Sequence, residues 1–393
     1  MKTQHTLTLI ATLLLAPLAA IHATELLWLA DQPVPKAAEL SELKDVQFHV
    51  IKANEPEKDG YKWLHGVGLG WHKGKLYASF GHNKGAENTG GEEARGCMSA
   101  DGGKTWGKTF AIGSPDQPGL GISHGVFLSR SDELWAFQAA FYGNKLTDIT
   151  SSRVHTRAYV LNKAAGSWES RGTVIEGGFW PMQEPLKMGD GNWIMSGLSV
   201  GAGNPGAVAI SHGDDLTKWD LVRIPRPPAV SMWGESTIIL NGRRVQNFAR
   251  INSKPPRSVL TAVSEDYGRT WTDYAPSNLP MVGSKPYTGR LSNGQPYLVC
   301  TTTAEAETSN RRAPLTIAVG RPGENGFRRI FRIRDSVCPA SPGDSVPGAS
   351  LSYPYAVEHD RALYVGFSNS GGRGGNNNSA ELAIIPIESL KVE

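Results

Sequence analysis

Six short apolar segments recur along the 393-residue chain at intervals of 50 to 68 residues, and each opens with a similar local phrase. One position in that phrase changes identity from copy to copy: His65, His124, Glu184, Glu235, Lys285 and Tyr353. A repeat of this length is typical of propellers and solenoids. Because the frame is kept while one polar position varies, the pattern predicts a scaffold that points six chemical groups at one place.

Each opening segment is followed by a tight turn and a second apolar run, which is the pattern of a β-hairpin. Turn pairs such as Asn241-Gly242 and Asn293-Gly294 supply the positive φ angles that such turns need. The second strands are predicted at 75–80, 133–141, 192–200, 243–250, 295–302 and 361–368, and further strands at 157–161, 206–210, 258–263, 314–319 and 381–387. Few windows show a helical period. We therefore predict an all-β fold, a six-bladed β-propeller of four-stranded antiparallel blades.

The last predicted blade lacks a fourth strand of its own. We expect that strand to come from the N-terminal part of the chain, near 25–30 or 46–51. Such a closure would join the two ends of the chain and cover sheet edges that would otherwise be free to pair with other chains.

The first residues have the pattern of a bacterial secretory signal peptide. Lys2 precedes an apolar stretch at 7–21, and small residues at Ala20 and Ala23 fit a cleavage site. We predict a signal peptide at 1–23, with a retained anchor as the alternative, and one domain at 24–393. The protein is then secreted or periplasmic and has no membrane segment after cleavage.

Charge and cysteine content exclude several functional classes. A net charge of +3 is too small to predict nucleic-acid binding. The cysteines, Cys97, Cys300 and Cys338, are odd in number, so at least one is unpaired within the chain, and buried free thiols are the favoured reading. Since no zinc-type spacing occurs, we predict no metal and no cofactor.

Two segments, 99–106 and 264–271, share the pattern Ser-x-Asp-x-Gly-x-Thr-Trp, with a weaker copy at 211–219. Ser and Asp side chains can bind backbone N–H groups in such a turn, and the Trp can fill the gap between strands. These segments resemble the Asp-boxes, or bacterial neuraminidase repeats, of the sialidase superfamily. The resemblance covers the mature chain and implies a six-bladed propeller with a central active site.

The superfamily also implies a tyrosine nucleophile assisted by a glutamate, three arginines that bind the substrate carboxylate, and an aspartate that serves as acid and base. By this resemblance Tyr353 is the nucleophile, Glu235 its base and Arg250 a carboxylate ligand. Tyr287 and Tyr355 are rivals of Tyr353, because a two-residue slip reaches the same strand face.

Several positions depart from the superfamily pattern. His65 occupies the frame of the first-blade arginine, and the frame of the third arginine holds Lys285, with Arg290 nearby. The loop at 81–88 contains no aspartate, so His82 or Glu87 would act as acid and base, with Asn83 as a further binding residue. His124 and Glu184 are additional candidates for acid-base catalysis.

Three functions follow from these residues. The first is an exo-acting glycoside hydrolase that acts on an acidic oligosaccharide or polysaccharide. The second is a polysaccharide lyase, which needs a cation, a base and an acid for β-elimination from a uronate, and which the two histidines favour. The third is a propeller that binds glycans without cleaving them.

Overall fold

The computed structural model describes residues 26–392 except 144–152, 163, 165 and 253. The predicted signal peptide at 1–23 lies outside these residues and stays a prediction. Within them, no helix combines the length and the apolar character needed to span a bilayer. Cys97 and Cys300 are buried free thiols, as predicted, and Cys338 is a partly exposed one.

Short strands dominate the chain. In chain order they are β1 (Ser41–Glu42), β2 (Gln47–Lys52), β3 (Trp63–His72), β4 (Lys75–Asn83), β5 (Glu93–Ser99), β6 (Phe110–Gly113), β7 (Leu120–Arg130), β8 (Glu133–Tyr142), β9 (Val154–Asn162), β10 (Ser167–Ile175), β11 (Phe179–Pro181), β12 (Leu186–Lys187), β13 (Trp193–Ser199), β14 (Gly206–His212), β15 (Asp215–Arg223), β16 (Met232–Asn241), β17 (Arg244–Ile251), β18 (Leu260–Ser264), β19 (Ala275–Pro276), β20 (Tyr287–Arg290), β21 (Pro296–Cys300), β22 (Leu315–Val319), β23 (Arg329–Arg334), β24 (Leu351–His359), β25 (Ala362–Asn369) and β26 (Ser379–Pro386). The helical segments are one turn of α-helix at Pro56–Asp59 and 3-10 turns at Ala37–Glu39, Ala304–Glu307 and Ile387–Leu390.

These strands form six sheets, which we number as blades 1 to 6 from β3 onward. Blades 1, 2 and 4 are β3–β6, β7–β10 and β16–β19, each in sequence order. Blade 3 contains β11–β15, blade 5 contains β20–β23, and blade 6 contains β24–β26. In blade 3 the innermost position is shared by β11 and β12, which both pair with β13. The innermost strand of each blade packs against the next blade, and β24 of blade 6 packs against β3, which closes the ring. The predicted six-bladed propeller is confirmed, and every predicted second strand corresponds to an observed one.

The ring is closed by the N-terminal part of the chain. Strand β2 pairs antiparallel with β26, as the fourth strand of blade 6, with Gln47 opposite Ile384. Of the two predicted segments, 46–51 therefore supplies the closing strand. The other predicted segment lies beside blade 5 instead, where its residue Trp28 makes a parallel bridge to Phe327. Strand β1 adds a parallel fifth strand to the same blade, beside β23. Both additions cover outer edges that would otherwise be exposed.

The Asp-box segments stabilise the turn between the third and fourth strands of a blade through side-chain hydrogen bonds. In blade 1, Ser99 Oγ accepts from the Gly103 amide at 2.8 Å, and Asp101 accepts from the Thr105 amide at 2.9 Å. The Trp106 indole donates to the Gly103 carbonyl at 3.1 Å. The segments at 264–271 and 211–219 occupy the same place in blades 4 and 3, and their Trp side chains pack on the core. Their role is structural, as the turn chemistry predicts.

Candidate active site

The six frame positions lie where the innermost strands are interrupted. In blades 1, 2, 4 and 6 the pairing register shifts at or beside His65, His124, Glu235 and Tyr353. Glu184 falls between β11 and β12, and Lys285 comes two residues before β20. A bulge re-aims the side chain that it carries. The repeated frame is thus a repeated irregularity at the start of the innermost strand.

A cavity of about 300 Å³ lies at the end of the inner strands where these interruptions occur, and we call it the central cavity. All six blades or their loops contribute to it. Its lining is Trp63, His65, Glu87, Asn88, Ser123, His124, Trp180, Met182, Leu198, Val200, Trp233, Glu235, Arg250, Asn252, Arg312, Tyr353 and Asn376. Four of the six frame positions meet here, but Glu184 and Lys285 do not.

Tyr353, Glu235 and Arg250 are hydrogen-bonded to one another at the wall of the central cavity. The Tyr353 hydroxyl donates to one carboxylate oxygen of Glu235, and Arg250 Nη1 donates to the other at 2.9 Å. Arg250 Nη1 also lies 3.3 Å from the Tyr353 hydroxyl. Burial, followed by the charge of Glu235, raises the pKa of Tyr353, so the phenol is protonated at neutral pH. When its oxygen attacks an electrophile, Glu235 is placed to take the proton.

The backbone of Tyr353 is strained. Its φ is +53°, which a bulky L-residue rarely adopts and which costs about 1–3 kcal/mol. The tyrosine is therefore held by its surroundings. Strain of this kind concentrates at functional sites, which supports a functional role for Tyr353 over its rivals.

His65 and His124 are neutral groups beside Tyr353. The ring centroids of His65 and Tyr353 are 4.0 Å apart, and those of His65 and His124 are 6.4 Å apart. Burial lowers the pKa of His124 to about 3 and lowers the pKa of His65 well below its usual value. The His124 ring packs directly against the backbone of Gly66. A side chain at that position would prevent this contact, because its β-carbon would stand 2.4 Å from the ring.

The orientation of His65 is set by Asn378. The Asn378 amide nitrogen donates to the Leu64 carbonyl at 2.8 Å and lies 3.0 Å from His65 Nδ1. The Asn376 carbonyl lies 3.0 Å from the same nitrogen, so its two N–H groups are shared among three acceptors. An amide nitrogen can only donate, so its contact with Nδ1 favours the tautomer with the ring proton on Nε2.

Of the loop at 81–88, Glu87 and Asn88 reach the central cavity. Burial raises the pKa of Glu87, and the charge of Glu235 adds to this, while a 2.9 Å hydrogen bond from Asn376 opposes it. A carboxyl with a raised pKa is suited to donate a proton.

The other two predicted residues of that loop lie outside the cavity lining. His82 stacks on Tyr61 with ring centroids 4.3 Å apart, and burial lowers its pKa to about 3. Asn83 fastens the loop by accepting from the Gly85 amide at 2.8 Å and donating to Ala86 at 3.0 Å. Of the two acid-base candidates in the loop, Glu87 is the one that lines the same cavity as Tyr353.

Arg312 is a cation in the cavity lining that the sequence frame does not reveal. It follows the 3-10 turn at Ala304–Glu307, and its Nη2 donates to the Gly283 carbonyl at 2.8 Å. Within the described residues no carboxylate pairs with it, whereas Arg250 is paired with Glu235. Its guanidinium lies 6.0 Å from the Tyr353 ring. Arg312 is therefore available to an anionic ligand.

Several buried polar nitrogens of the cavity lining have no partner within the described part of the chain. They are Trp63 Nε1, His124 Nε2, Trp180 Nε1 and Arg250 Nε. Buried polar groups are nearly always hydrogen-bonded, so a cluster of unpaired nitrogens around one cavity points to a polar ligand. One wall is apolar, formed by Trp180, Met182, Leu198, Val200 and Trp233, and offers faces for a sugar ring.

Glu184, Lys285, Tyr287 and Tyr355 form a separate group, which we call the Glu184 cluster. Glu184 Oε2 accepts from the Tyr287 hydroxyl at 2.5 Å and the Tyr355 hydroxyl at 2.6 Å. Lys285 Nζ donates to the Pro354 carbonyl at 2.8 Å and lies 5.3 Å from each tyrosine ring. The expectation that all six frame positions point at one place is therefore wrong for Glu184 and Lys285.

Glu184 and Tyr287 instead line a second cavity, toward the other ends of the inner strands, together with Arg290. Arg290 donates to the carbonyls of Gly294 at 2.8 Å and Glu324 at 3.1 Å. The predicted binding residues Lys285, Tyr287, Arg290 and Tyr355 are thus all outside the central cavity. The physical reason is position along the central channel, which the inner strands surround. The repeated frame fixes the strand on which a residue lies, but it does not fix which end of the channel the side chain reaches.

Fold and site together define a six-bladed propeller with Asp-box turns and a central cavity whose lining includes Arg250 and Arg312. The chain belongs to the family of proteins with a BNR repeat-like domain, whose model matches residues 98–365. No curated protein sequence matches the chain significantly.

Solved structures share the fold at low sequence identity. A protein of unknown function from Dyadobacter fermentans is 15% identical with a TM-score of 0.63, over 87% of this chain and 99% of that one. The NanB sialidase of Streptococcus pneumoniae is 11% identical with a TM-score of 0.66, over 88% and 71%. The Trypanosoma rangeli sialidase is 13% identical with a TM-score of 0.64, over 91% of this chain, which spans 60% of the sialidase. These matches confirm the resemblance to the sialidase superfamily at the level of the fold.

Proposed function

We propose that this protein is an exo-acting glycoside hydrolase that removes an acidic sugar from the end of a glycan. The observation that carries the proposal is the buried Tyr353–Glu235 hydrogen bond, which faces the same cavity as Arg312, a cation with no carboxylate partner among the described residues. A cavity of about 300 Å³ has the size of a small-ligand site and suits one terminal sugar.

In the first step the Tyr353 oxygen attacks the anomeric carbon, and its proton passes to Glu235. The glycosidic bond breaks as Glu87 donates its proton to the leaving oxygen. In the second step the Glu87 carboxylate takes a proton from water, which attacks the anomeric carbon. The bond to Tyr353 then breaks, and the phenolate recovers its proton from Glu235. Arg250 and Arg312 bind the sugar carboxylate throughout.

The test is incubation with a panel of acidic glycans and aryl glycosides, with reducing ends and near-ultraviolet absorbance recorded together. New reducing ends without a rise in absorbance are expected, and Tyr353→Phe should stop their release while binding is kept. Full activity of Tyr353→Phe contradicts the proposal. Binding without any cleavage by the wild-type protein would instead favour a binding propeller.

A lyase is the second candidate, favoured by the two neutral histidines beside Tyr353. A neutral histidine could take the proton next to a uronate carboxylate, and the freed electron pair would form a double bond as the glycosidic C–O bond breaks. Tyr353 would protonate the leaving oxygen. The unsaturated product absorbs in the near ultraviolet, so a rise in absorbance with the reducing ends identifies this reaction.

A further inference from the structure

Strand β24 carries a bulge at Tyr353. Pairing with β25 stops after Ser352 and resumes at Tyr355. The two residues between them, Tyr353 and Pro354, have no register partner on that strand. A bulge of this kind redirects the side chain that it carries, and here the tyrosine hydroxyl is turned to the Glu235 carboxylate.

The conformation of this bulge opposes the preference of its own sequence. The φ of Tyr353 is +53°, whereas a residue that precedes proline favours extended backbone with φ of about −120°. Pro354 has no N–H group, so its carbonyl is the one backbone group through which it can be hydrogen-bonded. The strained conformation therefore has to be held by contacts from outside the strand.

Lys285, from the segment that leads into blade 5, supplies such a contact. Its Nζ donates to the Pro354 carbonyl at 2.8 Å. The lysine is 3% exposed, and it forms no ion pair with any carboxylate of the described residues. The rings of Tyr287 and Tyr355, each 5.3 Å from Nζ, limit its movement. A buried lysine whose hydrogen bond goes to one backbone carbonyl is suited to fix that carbonyl in place.

The segment that carries Lys285 is itself fastened to the site. The Val282 amide donates to the Thr301 carbonyl at 3.2 Å, just after β21. The Gly283 carbonyl accepts from Arg312 Nη2 at 2.8 Å. One short stretch of chain thus contacts both Arg312 and the bulge of Tyr353, which fixes the two groups relative to each other.

We propose that Lys285 is a positioning residue for Tyr353. Its bond to the Pro354 carbonyl keeps the bulge in the strained conformation that brings the tyrosine hydroxyl to Glu235 at the central cavity. The proposal rests on the proposed function, because it takes Tyr353 as the nucleophile. Lys285 acts through the backbone and does not contact the substrate, so a frame residue that does not reach the cavity still serves the site.

Lys285→Met tests this contact, because methionine keeps an apolar stem of similar length but cannot donate. In a crystal structure of the variant, the φ of Tyr353 should turn negative and its hydroxyl should leave Glu235. On 4-nitrophenyl α-sialoside or 4-nitrophenyl β-glucuronide, whichever the wild type cleaves, kcat should fall about 10- to 100-fold, because the nucleophile is misplaced. Calorimetry with the corresponding methyl glycoside should give a Kd within about threefold of wild type, since Arg250 and Arg312 remain.

Lys187→Met is the matched control. Lys187 also donates to a backbone carbonyl, that of Gly191 at 2.7 Å, but it lines the second cavity and not the central one. Its kcat should stay within about twofold of wild type. The stoichiometry of the calorimetric titration gives the folded fraction of each variant, so kcat is expressed per binding site. Lys285→Gln is a milder change, whose shorter side chain lengthens the bond to Pro354, and it should give a weaker form of the same loss.

The outcomes separate the two proposals. If the φ of Tyr353 stays positive in Lys285→Met, or if both Lys285 variants keep the kcat of wild type, the positioning role is wrong and the proposed function stands. A rise in Kd as large as the fall in kcat also overturns the positioning role, because Lys285 would then support the whole cavity rather than Tyr353. If the wild-type protein cleaves neither glycoside, the proposed function falls, and the catalytic role of Lys285 falls with it.

Discussion

The central cavity and the Glu184 cluster hold the same chemical groups in different settings. Each combines a tyrosine that donates to a glutamate with a nearby cation, namely Tyr353, Glu235 and Arg250 in one and Tyr355, Glu184 and Lys285 in the other. In the Glu184 cluster one carboxylate accepts from two tyrosines and the lysine is held by a backbone carbonyl.

The difference lies in what remains unsatisfied. Around the central cavity, buried nitrogens of His124, Trp180 and Arg250 are unpaired within the described residues, and Arg312 has no carboxylate partner there. No atom of the Glu184 cluster is among the unpaired buried groups of the same residues. A tyrosine–glutamate pair therefore indicates catalysis only where neighbouring groups are left for a substrate to satisfy.

The largest expected effect separates the tyrosines. Tyr353→Phe should lower kcat by at least about 10³-fold, because the nucleophile is lost. Tyr287→Phe removes one of the two hydroxyls that donate to Glu184 and should keep kcat within about threefold while lowering the unfolding free energy by roughly 1 kcal/mol. Kinetics on an aryl glycoside and urea denaturation measure the two effects. Equal losses of kcat in both variants would erase the distinction between the two regions.

The next effect concerns Glu87. As general acid it must be protonated, so the rate on a natural glycoside should fall as pH rises through its pKa, which burial raises above the usual value. Glu87→Gln should remove this alkaline limb and lower the rate by about 10²–10⁴-fold, with a smaller loss on a nitrophenyl glycoside, whose leaving group needs little protonation.

Glu92→Gln is the matched control. Glu92 is buried and burial raises its pKa to about 8, but it does not line the central cavity. The pH–rate profile of this variant should keep the alkaline limb. If the limb moves in Glu92→Gln and not in Glu87→Gln, the proton donor has been assigned to the wrong carboxyl.

Removal of Arg312 should have an intermediate effect. Arg312→Ala takes away one charge-assisted contact, worth roughly 1.5–3 kcal/mol, and should weaken binding of an acidic sugar by about 10–150-fold. Arg290→Ala changes a cation of the second cavity and should leave that affinity within about twofold. Calorimetry with methyl α-sialoside and methyl β-glucuronide gives both values. Weaker binding in Arg290→Ala alone would place the anion site at the other end of the channel.

The fold was predictable because its signals are local. Hairpin turns, strand alternation and the Asp-box pattern each act over a few residues, so the blades follow from the sequence. The sequence limited the closing strand to two segments, and the pairing of β2 with β26 selects 46–51. The parallel pairing of β1 with β23 does not, because two residues carry no periodicity.

The site was predictable only in part, for two physical reasons. The frame residues lie at strand interruptions, and the end of the channel that each side chain reaches depends on how its strand bends there. The sequence therefore could not show that Glu184 and Lys285 lie outside the cavity that His65 and Tyr353 line. Arg312 lies in a connection outside any frame, and a neighbouring arginine at 311 makes the sequence ambiguous. A loop residue joins such a site through tertiary folding alone.

The last effect concerns stability rather than activity and contrasts the two cations. Burial lowers the pKa of Lys285 to about 7, from 10.5 when exposed. Between these values the unfolded chain binds more protons, so the stability from neutral Lys285 is complete above pH 10.5 and is lost as pH falls toward 7. The slope is at most about 1.4 kcal/mol per pH unit. Urea unfolding of Lys285→Met should lack this rise, whereas Arg250→Met should keep it, since the lysine is still present. Parallel curves for wild type and Lys285→Met would mean that the lysine stays charged in the folded protein, and the cation of the Glu184 cluster would then be as permanent as Arg250 is in the central cavity.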